Sequence, residues 1–136
     1  MNKIMAEETD NKATQLRKGI LELAVMATLY RQSHYGYSLV RSLASPDTAG
    51  IKEGTVYPIL ARLAREGLVS SEWVESSQGP PRKYYELTGA GRAAYESLQA
   101  EFRRLVLLVE NAAGEPEPQP DLQGSKKIVI RRKKNE

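Results

Sequence analysis

The hydrophobic period of this chain changes abruptly at Gly67, and few folds accommodate that change. On its N-terminal side apolar residues step by three and four. Leu16, Ile20, Leu23, Ala27 and Tyr30 form one helical stripe, and Leu21, Val25 and Leu29 form a second beside it. Two neighbouring stripes make a helix apolar most of the way round, which predicts burial on more than one side. Tyr37, Leu39, Val40 and Leu43 predict a short second helix after Gly36, broken by Pro46 and Asp47. A third helix is predicted over about residues 54–66. Gly67 then supplies the left-handed residue that ends it, and Leu68 is placed to pack back on Leu63 or Ala64.

Beyond Gly67 the signals are those of strands. Residues 68–74 and 82–87 are rich in β-branched and aromatic types, and Glu75-Ser-Ser-Gln-Gly-Pro-Pro81 between them is turn chemistry. This predicts a β-hairpin with a long tip. Thr88 is a natural N-cap for a last helix running to about Ala112. Residues 1–13 are polar, charged and without apolar period, and read as a disordered leader. Gly114-Glu-Pro-Glu-Pro-Gln-Pro120 alternates proline with polar residues and reads as an extended linker. The basic tail after it, Lys126 to Lys134 with Ile128-Val-Ile130 at its centre, reads as disordered; an arm adding phosphate contacts is the alternative.

The expected fold is therefore mainly α with a small β-hairpin (α+β): a winged helix-turn-helix over residues 14–88 and a long C-terminal helix over 89–112, with residues 113–136 as linker and tail. Composition removes several functions. There is no cysteine and one histidine, His34, so disulfides, thiolate nucleophiles and Cys- or multi-His metal centres are excluded. His34 lies in a polar turn and is expected at the surface. No nucleophile–base pair is visible, so neither catalysis nor a cofactor is expected. No apolar run approaches the roughly 18 residues of a membrane span, and the polar N-terminus lacks a signal-peptide core; a cytoplasmic protein with no membrane partner is expected. Twenty Lys and Arg against 17 Asp and Glu leave a net charge of +3, which matters only where the cations share a face.

The third helix gathers them. On a helical wheel Val56, Ile59, Leu60 and Leu63 point inward, and Gly54, Pro58, Ala61 and Arg65 point outward, with Tyr57 and Arg62 on the flanks. Small side chains let a helix approach base edges closely, and arginines reach the phosphates lining a major groove. Pro58 has no N–H and is comfortable only in a first turn, so the helix is predicted to begin between about Gly54 and Tyr57. Thr55 and Tyr57 are candidates for base or backbone contacts. Lys52 before the helix, and Gly79, Arg82 and Lys83 on the hairpin, complete a candidate surface for double-stranded DNA, with Arg17 and Lys18 as further phosphate ligands. Trp73, Tyr84 and Tyr85 are expected to pack within the hairpin.

On the last helix Tyr95, Leu98, Phe102, Leu105 and Val109 alternate steps of three and four, as in a heptad seam. With Leu16 and Ile20 they form the expected homodimer interface; packing of the helix against its own domain's core is the alternative. Leu16-Arg-Lys-Gly-Ile-Leu-Glu-Leu23, Tyr35-Gly-Tyr37, Glu53-Gly-Thr-Val-Tyr-Pro-Ile-Leu60, Glu66-Gly-Leu68, Gly79-Pro80 and Arg82-Lys-Tyr-Tyr85 with Leu87-Thr88 resemble the PadR family of bacterial transcriptional regulators, in its short form with one C-terminal dimerisation helix. The resemblance implies a homodimeric repressor binding a palindromic operator. It also implies a small aromatic or drug-like effector in a cavity between subunits, for which Leu98, Phe102 and Leu105 are the candidate lining. A winged-helix dimer that binds proteins rather than DNA is the alternative. Acidic residues on the outward face of the third helix would point to it, and its centre has none.

Overall fold

The computed structural model describes residues 3–44 and 51–120. Helix α1 runs from Lys3 to Arg31, strand β1 is His34–Tyr35, and α2 is Gly36–Leu43. Helix α3 spans Glu53–Arg65, strands β2 and β3 are Val69–Val74 and Arg82–Leu87, and α4 is Gly89–Ala112. The expected break at Pro46 and Asp47 and the tail from Lys126 to Lys134 lie outside the described residues. Residues 113–120 are exposed and form no helix or strand.

Gly67 has φ 74°, the left-handed conformation expected of it. The Leu68 amide donates to the Leu63 carbonyl (2.9 Å) and the Gly67 amide to Ala64 (3.1 Å), a Schellman closure of α3. The chain then turns at once into β2, which pairs antiparallel with β3 from Val69 opposite Leu87 to Val74 opposite Arg82.

One expectation about the first helix is corrected. Residues 3–13 are helical, not a disordered leader. Lacking an apolar stripe, they have nothing to bury and stay mostly exposed. Their Lys, Met, Ala and Glu are nonetheless strong helix formers, and extending a packed helix carries no new nucleation cost. The C-terminal part of α1 is buried on more than one side, as its two stripes require: residues 21–30 are all buried or half-buried, with Val25, Met26 and Leu29 in the core, whereas Leu16 farther up the helix is 74% exposed.

The sheet has a third strand that periodicity could not show. Tyr35 pairs with Tyr84 and His34 with Tyr85, giving the order β1-β3-β2. Two residues are too few for alternation to register. Their pairing carries His34 out of the expected surface turn and into the interior, at 7% exposure. The Ser38 hydroxyl donates to the Tyr35 carbonyl (3.0 Å), leaving its oxygen to accept from His34 Nδ1 (3.0 Å). Burial, and to a lesser degree Arg31, push the His34 pKa below its ordinary value.

The core joins Val25, Met26 and Leu29 of α1 to Leu39 of α2, to Val56, Ile59, Leu60 and Leu63 of α3, and to Val69, Leu87 and Tyr95. Tyr95 sits 4.7 Å from Tyr30, ring centre to ring centre. The Tyr30 hydroxyl donates to Glu96 (2.8 Å), which raises its pKa, and the Arg92 guanidinium lies 4.4 Å from its ring. This contact set joins α1 to the first turns of α4.

One junction fixes α4 against α3. The Thr88 amide donates to the Leu68 carbonyl (3.0 Å), and its hydroxyl donates to Gly67 (2.7 Å) while accepting from the Gly91 amide (3.0 Å). A Cβ on Gly91 would fall on that same Leu68 carbonyl. Thr88→Ala should therefore cost about 1–2 kcal/mol. Gly91→Ala should cost more, because a backbone carbonyl cannot swing aside. Urea unfolding at one fixed protein concentration measures both, and a Gly91→Ala variant as stable as the parent would refute the close contact. For His34, a depressed folded pKa means the unfolded chain binds the proton more readily. The associated stability is complete above about pH 6.5 and is lost as pH falls from there toward the folded value. The urea midpoint should accordingly drop more steeply below pH 6.5 than that of His34→Asn.

Candidate nucleic-acid interface

Helix α3 turns its apolar side inward as its spacing requires, which leaves Gly54, Pro58, Ala61 and Arg65 exposed together. Between Gly54 and Arg65 no acidic side chain interrupts this face. Lys52 is the N-cap residue in extended conformation, and its carbonyl accepts from the Thr55 (2.9 Å) and Val56 (3.1 Å) amides. Helix α3 thus begins at Glu53, one residue before the earliest predicted start, and Pro58 lies inside the helix beyond the first turn. Proline at that position removes the bond that would run back to Gly54. It is tolerated here because both residues face solvent.

Of three predicted contact residues, one is half-buried and two have partners within the chain. Thr55 is half-buried. Arg62 reaches back to Glu22 of α1, Nη2 to Oε2 at 3.0 Å, with both side chains partly exposed. Tyr57 leans toward α2, where a Cβ on Gly36 would strike its hydroxyl and ring. Glycine at 36 is what lets α2 and α3 approach there. Tyr57 also lies beside Tyr85, whose pKa is raised first by burial and then by Tyr57 itself.

The hairpin of β2 and β3 projects beside the start of α3. Gly79 at its tip has φ 153°, a glycine conformation, and is exposed. The Arg82 guanidinium stacks 4.5 Å from the Tyr35 ring, and Lys83 Nζ lies 5.9 Å from Trp73 and 5.8 Å from Tyr85. Tyr84 packs on Tyr35, as a hairpin residue should. Trp73 does not pack: it is 69% exposed. Residues 69, 71 and 73 share one face, so alternation alone assigns Trp73 inward, but the core ends before reaching it. Arg17 and Lys18 are exposed on α1.

A second feature lies between α1 and α4. Leu16, Ile20, Leu98, Phe102 and Leu105 line an open apolar groove of about 560 Å³, with Glu22 and Glu101 at its wall. Val109 is exposed farther along α4 and does not line it. Tyr95, expected at the dimer interface, is instead 8% exposed within the chain's own core, because Tyr30 captures it. No described helix is long and apolar enough to cross a membrane.

Residues 25–97 match the model of the transcriptional regulator PadR-like family. Among solved structures, the chain is similar to a PadR-like transcription factor from Bacteroides fragilis, at 41% identity over 76% of this chain and 99% of that one, with a TM-score of 0.64. A PadR family transcriptional regulator from Eggerthella lenta is 31% identical over 85% of this chain and all of its own, with a TM-score of 0.70. A PadR-like transcriptional regulator from Bacillus cereus is 30% identical over 75% of this chain and 99% of its own, at 0.68. With its winged-helix architecture and a family match over more than half its length, the chain belongs to the PadR-like family of transcriptional regulators.

Proposed function

We propose that the chain is a homodimeric repressor that binds an inverted-repeat DNA operator. The observation that carries this is the outward face of α3, small at Gly54, Pro58 and Ala61, cationic at Arg65, and free of carboxylates between Gly54 and Arg65. Such a face enters a major groove closely, and two copies related by a dimer axis reach successive grooves about 34–36 Å apart. Arg65, Lys52, Arg82 and Lys83 supply phosphate contacts, and Thr55 faces the groove floor from the first turns. Arg62 joins them by leaving Glu22; an exposed pair of this kind holds it by no more than about 1 kcal/mol.

The apolar groove between α1 and α4 supports the dimer. Large apolar side chains from Leu98 to Val109 are uncovered on one long helix, and a contiguous patch of this kind marks an interface. A flat aromatic effector fits the same groove at Leu98, Phe102 and Leu105, where occupancy would alter how the subunits meet.

Mobility shift with DNA upstream of the chain's own coding sequence, at two salt concentrations, tests the reading. Affinity should fall with a log–log slope of about −0.9 for each phosphate neutralised. Arg65→Ala should weaken binding to all sequences alike and reduce that slope by about one. A flat salt response would point to the protein-adaptor alternative. Leu105→Asp should convert a dimer into a monomer in analytical sedimentation and abolish tight operator binding; a parent protein that sediments as a monomer would remove the two-fold operator from the scheme.

A further inference from the structure

Between the start of α2, the start of α3 and the outer half of the hairpin lies a cleft of about 310 Å³ walled by aromatic rings. Tyr57 and Tyr85 form its floor, and Tyr37 and Trp73 stand at its rim, 54% and 69% exposed. Exposed rings of this size, gathered at one place, mark a contact surface. Cations surround them. Arg82 covers Tyr35, Lys83 lies against Trp73 and Tyr85, and the Arg41 guanidinium is 5.9 Å from the Tyr37 ring. No carboxylate lines the cleft. An occupant should therefore be anionic and offer a flat or C–H-rich surface to the rings.

Position names the occupant. One wall belongs to the helix proposed to enter the major groove, the other to the hairpin beside it, and on that reading the hairpin tip stands toward the adjacent minor groove. The strand of duplex that separates those grooves must cross the gap between them. We propose that this cleft seats one sugar–phosphate unit of that strand, with the Trp73 indole against a deoxyribose and Lys83 and the Tyr37 hydroxyl on the neighbouring phosphate. The inference rests on the DNA-binding reading above, and it gives Trp73 and Tyr37 roles that helix α3 alone does not require. Gly36 belongs to the same device. Its missing side chain admits Tyr57 against α2 and so sets the depth of the floor.

Trp73 is the only tryptophan of the chain, so its emission reports on the cleft directly. The probe is a dye-labelled random-sequence duplex of about 30 base pairs, long enough for two half-sites one helical turn apart. It is titrated between about 50 and 200 mM salt, with binding read independently by anisotropy. Binding should change Trp73 emission and shield it from acrylamide. Trp73→Ala should weaken binding about tenfold, the scale of one aromatic contact to a nucleic acid. Its salt slope should match that of the parent, because no charge is removed. Lys83→Gln should instead lower the slope by about one. Trp73→Phe should bind like the parent. Because Trp73 is exposed, these variants should also unfold at the parent's midpoint. Anisotropy showing binding while Trp73 stays open to acrylamide, or Trp73→Ala binding as the parent does, overturns the cleft assignment and leaves DNA binding intact. Absence of any anisotropy change at the lower salt overturns both.

Discussion

The Leu68 carbonyl is where the geometry of the molecule is decided. It accepts from the Thr88 amide at 3.0 Å, and Gly91 presses against it so closely that no other side chain fits. Leu68 itself is held by the Schellman bond to Leu63. The C-terminus of α3 and the N-terminus of α4 therefore share one small set of backbone atoms, with Thr88 bridging Gly67 and Gly91 through its hydroxyl. The proposed dimeric repressor would need a fixed angle between α3 and α4. Here that angle rests on backbone contacts rather than on deformable side chains, and Tyr30 with Tyr95, Glu96 and Arg92 braces it from α1.

The two ends of this frame carry opposite chemistry. On the outward side of α3 between Gly54 and Arg65 and in the cleft beside it, the exposed groups are glycine, proline, alanine, aromatic rings and cations. Toward the far part of α4 they are leucines and valines. Glu22 and Arg62 lie between, joining the wall of the apolar groove to the outward flank of α3 across 3.0 Å. The pair is exposed, so its contribution to stability is small. Its effect is on availability, since an arginine held by a carboxylate meets a phosphate only by exchange.

Much of this was legible from spacing. Val56, Ile59, Leu60 and Leu63 announced the buried side of α3, and with it the open side. Gly67 and Thr88 marked boundaries because each supplies a backbone conformation or a cap that is local chemistry. What escaped is non-local. Strand β1 exists only because Tyr84 and Tyr85 are there to receive it, and His34 is buried only because β1 forms. Tyr95 follows the heptad step of Leu98 and Phe102 yet turns to Tyr30, a residue distant in sequence. Tyr57 and Arg62 looked free on a wheel drawn for α3 alone, since a wheel omits Gly36 and Glu22. The helix over residues 3–13 is illegible for a different reason: apolar period reports packing, and a helix can extend past its packed part on propensity alone.

Trp73 shows how far such reasoning extends. On the strand it occupies the same face as Val69, which is buried, and period two would bury both. The outcome depends on the reach of the core, which Leu87 and Val69 close off near the base of the hairpin. Past that point the inward face of the hairpin becomes the upper wall of a cleft over the start of α3, and its aromatic and cationic residues face outward from the core they would otherwise fill. A hairpin longer than its core is thus a way to turn hydrophobic side chains into contact residues. Exposing an indole ring forgoes hydrophobic stabilisation, which the proposed contact of Trp73 with DNA would restore.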